Sequence, residues 1–254
     1  NKGAFSWGRR FALQPEKIMS LVPVVKTNPL TTFNDILTDR HARLVRYQSE
    51  RYASLYAQRV AGARKSLSHL EEAEPILSDI AQQLYRLMAL KDEYEVARLL
   101  TSKSGASDIP DLNQAGVNFY FAPPLISHWL SRNGQPRKIR VGAWARYPLR
   151  MLAAMKFLRG SALDPFAYTA ERQAEHRDLS AYLEDIELIA DKATAEKMDC
   201  AKQLANAPSQ LRGYGHVRAE NRKSWLAQRN RYRAELQLAQ PLHFTDVTYR
   251  GTHE

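Results

Sequence analysis

Residues 85–100 read Tyr85-Arg86-Leu87-Met88-Ala89-Leu90-Lys91-Asp92-Glu93-Tyr94-Glu95-Val96-Ala97-Arg98-Leu99-Leu100. Leu84, Leu87, Met88, Val96, Leu99 and Leu100 recur at helical intervals, so the stretch reads as one helix with an apolar stripe. Between the apolar positions, Lys91, Asp92, Glu93, Glu95 and Arg98 are denser than a plain solvent face requires. Glu95 and Arg98 stand at i,i+3, and Lys91 and Glu95 at i,i+4. That is ordinary surface pairing, worth about 0.2–0.5 kcal/mol per pair. With Tyr94 among them and strongly apolar flanks, the same residues also read as a polar network at an interface.

Upstream, Thr32 with Asp35 three residues on predicts the start of a long helix. Ile36, Leu37, Leu44, Val45, Tyr52, Leu55, Tyr56, Val60, Ala63, Leu67 and Leu70 continue its stripe. The break falls at Glu71-Glu72-Ala73-Glu74-Pro75, because a residue before proline is pushed out of helical geometry. The return helix runs from Ile76 to about Thr101. Two long helices and a short loop make an antiparallel hairpin, of which residues 85–100 are the second half. The first 30 residues read as irregular, with a short helix opened by Pro15, and with Phe5, Trp7, Phe11 and Leu13 as an apolar anchor.

Downstream, Ser102–Asp111 is a loop. Val117–Phe121 and Lys138–Trp144 read as short strands, the first ended by Pro123-Pro124, with a turn signal at Asn133-Gly134. Tyr147–Leu158 is a helix closed by Arg159-Gly160. Thr169 caps a helix expected to reach Ala205, with Pro208 after it. A final helix spans about Val217–Leu238, and the tail from Gln240 carries a small strand at His243–Tyr249. The expected fold class is therefore mainly α: a long antiparallel helical hairpin plus further helices, with a small two-stranded β element near 117–143.

Composition sets the outer limits. The chain of 254 residues, 44% hydrophobic, supports a real core and falls outside the collagen-like and low-complexity classes. No apolar run reaches the roughly 18 residues of a membrane span, and residues 1–10 do not read as a signal peptide. The single Cys200 excludes an internal disulfide framework and any cluster held by four thiolates of this chain. In its helical context it reads as a small buried hydrophobe, and the compartment as reducing and cytoplasmic. The seven histidines show no ligand spacing, and no phosphate-binding or nucleophile-elbow motif occurs, so no metal site and no catalytic residue is expected.

The net charge of +10 favours an anionic partner. Arg132, Arg137, Lys138, Arg140, Arg146, Arg150, Lys156 and Arg159 form a run without Asp or Glu. It fits an anionic ligand, an acidic protein face or plain solvated basicity. Nucleic acid is the weakest candidate, resting only on the interleaved Trp144, Tyr147 and Phe157. Arg212-Gly213-Tyr214-Gly215-His216 is a glycine-bracketed turn that opens a helix. Arg212, Gly213, Gly215, His216 and Arg218 there are either an anion-binding group at a helix N-terminus or a structural turn.

Four blocks taken together carry a resemblance. Leu90–Leu99; Phe121–Leu125; the group Leu158–Ser161, Asp164–Phe166 and Thr169–Arg172; and Leu211–Arg218 resemble, in order, the C-terminal portion of fused indolepyruvate:ferredoxin oxidoreductases. Ala4–Arg9 is similar to the linker that leaves the preceding domain there. The resemblance implies residues 1–30 as a linker or docking arm and 31–254 as a C-terminal helical domain, in a chain cut from a longer polypeptide. It implies a parent enzyme that uses thiamine diphosphate and 4Fe-4S clusters to decarboxylate aryl 2-oxoacids oxidatively, with CoA as co-substrate and ferredoxin as electron acceptor. This chain has neither the Gly-Asp-Gly…Asn pattern of thiamine diphosphate sites nor the cysteines, so no cofactor is expected on it alone. Implied partners are the catalytic domains of the same enzyme, a second copy of the parent and an acidic ferredoxin. Lys91, Asp92, Glu93, Tyr94, Glu95, Arg98, Arg159, Asp164, Glu171 and Arg172 are the expected docking residues. The other reading is a stand-alone basic helical module for CoA, acidic ferredoxin or nucleic acid.

Overall fold

The computed structural model describes residues 2–21, 32–101, 119–121, 139–213 and 215–238, and the chain divides into two units, Asn1–Thr31 and Thr32–Glu254. It is mainly α. The loop expected at 102–111, Pro123-Pro124, the turn at 133–134 and the tail from 240 lie outside the described residues.

In the first unit α1 (Lys2–Leu13) and α2 (Pro15–Met19) replace the irregular arm expected over the first residues. Pro15 opens α2, where its missing N–H costs nothing. Neither helix buries a residue. Phe5, Trp7, Phe11 and Leu13 stay exposed, with Arg10 over the Trp7 ring.

The second unit begins with α3 (Phe33–Tyr47). Its start was legible: the Asp35 amide donates to Thr32 Oγ1 at 3.1 Å, and the Thr32 amide returns to Asp35 Oδ2 at 3.3 Å. The expected two-helix hairpin, however, is four helices. The first arm breaks at Gln48 (φ −133°, ψ −71°) and restarts as α4 (Glu50–Ser66) on a Ser49 cap, whose Oγ accepts the Tyr52 amide at 3.2 Å. The second arm is α5 (Ala73–Met88) and α6 (Glu93–Thr101), parted at 89–92. α5 starts two residues before Pro75, since first-turn N–H groups have no helical partner to lose. It is the central helix and touches α3, α4, α8 and α9. Ile76, Ile80, Ala81, Leu84 and Leu87 bury one broad face, and Leu77, Gln83 and Met88 widen it.

β1 (Phe119–Phe121) and β2 (Ile139–Val141) pair antiparallel, Tyr120 opposite Arg140. After a 3-10 turn come α7 (Arg146–Ala154), packed on α6, and a further 3-10 turn at 155–158. Gly160 has φ +75°. The helix expected from Thr169 to Ala205 is two: α8 (Ala170–Lys192), and α9 (Met198–Asn206) after a break at the extended Ala193 and Thr194. Pro208 lies in a 3-10 turn (Ala207–Gln210), and α10 (Gly215–Gln237) is the last described helix.

α8 and α10 run parallel, because their partners advance together. Arg222 Nε donates to Asp178 Oδ1 at 2.5 Å, and Arg229 Nε to Asp185 Oδ2 at 2.6 Å, one heptad further on both helices. Arg233 Nη1 adds 2.5 Å to Asp185 Oδ1. Tyr182 and Trp225 are buried between the two charged layers. Burial pushes both aspartates above the usual carboxylate range, and the arginines oppose it. Such a seam is only weak evidence of net stability, but removing one partner leaves a buried charge, at about 3–5 kcal/mol.

Candidate functional site

The break between α3 and α4 exposes carbonyls at a helix C-terminus, and the break between α5 and α6 exposes amides at a helix N-terminus. The residues that satisfy both ends meet in one place. Asp92 precedes α6, and its Oδ1 accepts the Glu95 amide at 2.8 Å. Arg159, from the turn after α7, grips Asp92 bidentately, Nη2 to Oδ1 at 2.8 Å and Nε to Oδ2 at 2.5 Å. Its Nη1 donates to the Tyr47 carbonyl at 2.5 Å, at the end of α3. Lys156 Nζ donates to the neighbouring Arg46 carbonyl at 2.8 Å. The Arg159 guanidinium lies over the Tyr47 ring, 3.6 Å from its centroid, while the Tyr47 hydroxyl donates to Asp92 Oδ2 at 3.1 Å.

A second layer surrounds the pair. Tyr94 Oη donates to Asp164 Oδ1 at 3.0 Å, and the same carboxylate accepts the Phe166 amide at 3.0 Å and the Gly160 amide at 3.3 Å. Phe166 meets the Tyr94 ring edge-on, with centroids 5.4 Å apart. Arg172 Nη1 donates to Glu175 at 2.7 Å, and its Nη2 to Glu93 at 3.3 Å. Burial, with Asp92 second, pushes the Tyr47 hydroxyl far above its ordinary range, and the Tyr52 hydroxyl is pushed up to about 12 by burial. Burial likewise raises Glu175, with Arg172 and Arg218 opposing. These groups border a cleft of about 240 Å³, with His176 exposed among its lining residues.

Both Asp92 oxygens and all three Arg159 nitrogens are engaged, so the pair offers no free base or nucleophile. It is a clasp that ties α3, α6 and the 156–172 segment together. Of the residues expected at a docking face, Asp92, Tyr94 and Asp164 are buried and Arg159 nearly so. Their polar atoms turn inward because they complete helix ends within this unit. Glu93 and Arg172 pair half-buried, and Glu95 takes both bonds of Arg98, 2.8 Å and 2.7 Å. Only Lys91 and Glu171 of the set are exposed. Tyr47 and Glu175 were missed by sequence reasoning; Tyr47 carries no local signal, whereas Glu175 stands three residues after Arg172 on a helix face.

The second predicted group lies elsewhere on the unit. Gly213 has φ +88°, and a Cβ there would meet Val217 Cγ1 at 2.7 Å. Gly215 starts α10, and the His216 side chain and Tyr214 lie outside the described residues. Arg218 Nη1 donates to the Leu211 carbonyl at 3.4 Å, and Arg86 Nη2 donates to that same carbonyl at 3.5 Å. Arg212 is exposed, its Nε donating to the Ser209 carbonyl at 3.0 Å. Arg86 joins this group only through the fold, which puts the end of α5 beside the turn.

No group of His, Cys, Asp or Glu suited to a metal ion occurs among the described residues. None of the described helices is long and apolar enough to cross a membrane.

Fold and clasp define a class: a helical unit in which the ends of two broken helices are joined by one buried ion pair. The chain belongs to the family of unknown function DUF6537, whose model matches residues 33–231. No curated protein and no solved structure matches it significantly.

Proposed function

We propose that this chain is the C-terminal helical domain of a fused, cytoplasmic 2-oxoacid:ferredoxin oxidoreductase acting on aryl pyruvates, and that it packs on the catalytic domains and supports their contacts without an active site of its own. The supporting observation is the clasp. Three of the four blocks that carry the sequence resemblance supply its members: Asp92 and Tyr94 from the first, Arg159, Asp164 and Arg172 from the next described one, and Arg218, 4.0 Å from Glu175, from the last. The clasp fixes the segment that exposes Trp144, Tyr147, Met151 and Phe157, an apolar surface suited to a neighbouring domain. In this reading thiamine diphosphate and the iron–sulfur clusters belong to the rest of the polypeptide.

The test is anaerobic expression of the complete polypeptide from its gene. Iron, sulfide and thiamine diphosphate are assayed, followed by indolepyruvate- and CoA-dependent reduction of a viologen dye. A complete polypeptide lacking clusters and thiamine diphosphate refutes the assignment. Full activity and assembly after deletion of residues 32–238 refutes the packing role. The second reading, a basic module for an anionic partner such as CoA, acidic ferredoxin or nucleic acid, is supported by Arg86 and Arg212, neither of which has a carboxylate partner among the described residues. Calorimetric titration of the chain at low salt tests it, and no heat with any of the three sinks it.

A further inference from the structure

The charges around the Leu211–Gly213 turn do not balance. A run of contacts links Glu93, Arg172, Glu175, Arg218, Asp178 and Arg222. Within it, Glu175 and Asp178 are each shared between two arginines. Arg86 and Arg212 then add two guanidinium groups that have no carboxylate partner among the described residues, so within this linked group five guanidinium groups meet three carboxylates. Arg86 Nη1 donates to Gln83 Oε1 at 2.7 Å, while Arg86 Nη2 and Arg218 Nη1 converge on the Leu211 carbonyl at 3.5 Å and 3.4 Å, so the acceptors that hold these like charges together are neutral. Arg218 is also incompletely used. Its Nη2 makes no hydrogen bond and stands 3.8 Å from Asp178 Oδ2, itself without a hydrogen-bond donor. Burial, then Arg212 and Arg218, lowers the Arg86 pKa. Like charges held this close are destabilising unless an anion neutralises them. The first turn of α10, which has no acidic residue, brings the positive end of a helix dipole beside Gly213.

We propose that Arg86, Arg212 and Arg218 form a binding site for a phosphate group at the Leu211–Gly213 turn. Planar guanidinium forks match the oxygens of a tetrahedral dianion, and several forks together favour phosphate over a monovalent halide. Arg86 and Arg212 are exposed and receive the anion. Arg218 backs them from the seam between α8 and α10. The site rests on the same arginines that support the basic-module reading and deepens it, and inorganic phosphate tests the site separately from CoA, ferredoxin or nucleic acid.

The experiment is isothermal titration of the 254-residue chain with inorganic phosphate, with pyrophosphate and with AMP, each against sodium chloride of equal ionic strength. Arg86→Gln, Arg212→Gln and the double variant are titrated in parallel, with circular dichroism and a urea melt in chloride to show that each is folded. Saturable phosphate binding is expected, weakened about tenfold by each substitution, the size of one charge-assisted contact. Arg212→Lys should recover part of the loss, since it keeps the charge and loses the fork. Tighter binding of AMP or pyrophosphate identifies a phosphorylated ligand, and tightest binding of inorganic phosphate the free ion; either supports the site. Phosphate heat no greater than that of chloride overturns the proposal, as does binding unchanged in the folded double variant.

Discussion

Replacing Asp92 by alanine tests the clasp at its centre. The substitution strips the bidentate partner from Arg159, whose side chain is 10% exposed. It also removes the acceptor of the Tyr47 hydroxyl and the cap on the Glu95 amide. Orphaning a buried charge costs about 3–5 kcal/mol, and losing an Asp cap about 1 kcal/mol. The terms share atoms and do not simply add, so about 4 kcal/mol is expected. At a urea slope of about 2.5 kcal/mol per molar, the midpoint followed by far-ultraviolet circular dichroism falls by about 1.5 M. The double variant D92A/R159M should be more stable than D92A alone, because the orphaned cation is gone. It still leaves the Tyr47 carbonyl without its donor, so it should not return to wild type. Hydrogen exchange should rise first in α6 and α7, the elements the clasp holds. A D92A stability within about 1 kcal/mol of wild type, or a double variant less stable than D92A, refutes the reasoning.

Arg98→Ala removes only a partly exposed i,i+3 pair with Glu95 and should shift stability by no more than about 0.5 kcal/mol in the same melt. Gly160→Ala meets no atom within 4 Å and should cost only the left-handed backbone penalty of about 1–2 kcal/mol. Gly213→Ala adds the Val217 clash and should cost more; equal costs would contradict the packing described at that turn. Cys200 is buried, its Sγ donating to the Tyr232 carbonyl, and burial pushes its thiol up to about 11. It should resist a disulfide reagent in the native state and react once unfolded. Because the folded pKa lies above the unfolded value of 9.0, the neutral thiol favours folding fully below pH 9, and that contribution fades as pH rises toward 11. Urea melts of wild type and Cys200→Ala across that window should show the difference.

The helix starts at Thr32 and Thr169 were legible because a capping side chain is a local signal. The class of fold and the strand pair were legible from periodicity and turn residues. The internal breaks were not, because the apolar stripe runs on through them: Leu44 and Val45 are followed by Tyr52 and Tyr56 as though Gln48 were helical. The signals existed at a finer scale. Ser49 followed by Glu50 is a cap with an acidic first turn, and so is Asp92 followed by Glu93 and Glu95. The charge density that read as an interface is in large part a helix N-terminus. The parallel seam was written as Asp178 and Asp185 against Arg222 and Arg229, seven apart on each helix, but pairing two segments 44 residues apart needs the fold.

The two breaks and the ion pair depend on one another. α3 ends with free carbonyls and the negative end of its dipole, and α6 begins with free amides and the positive end. Arg159 meets the first through the Tyr47 carbonyl, Asp92 meets the second through the Glu95 amide, and the two bind each other. Each charge is therefore compensated twice, by its counter-ion and by a helix end of opposite sign. Burying a charge is costly unless counter-charges and hydrogen bonds satisfy it, and here both are supplied by the same atoms. It also means that neither helix end can move without breaking the pair. The turn from Lys156 to Asp164 is held against the bundle by the same atoms, and with it the position of α7, whose Tyr147 and Met151 face outward. A side-chain change inside the clasp should therefore alter what that outer surface can dock against, without touching the surface itself.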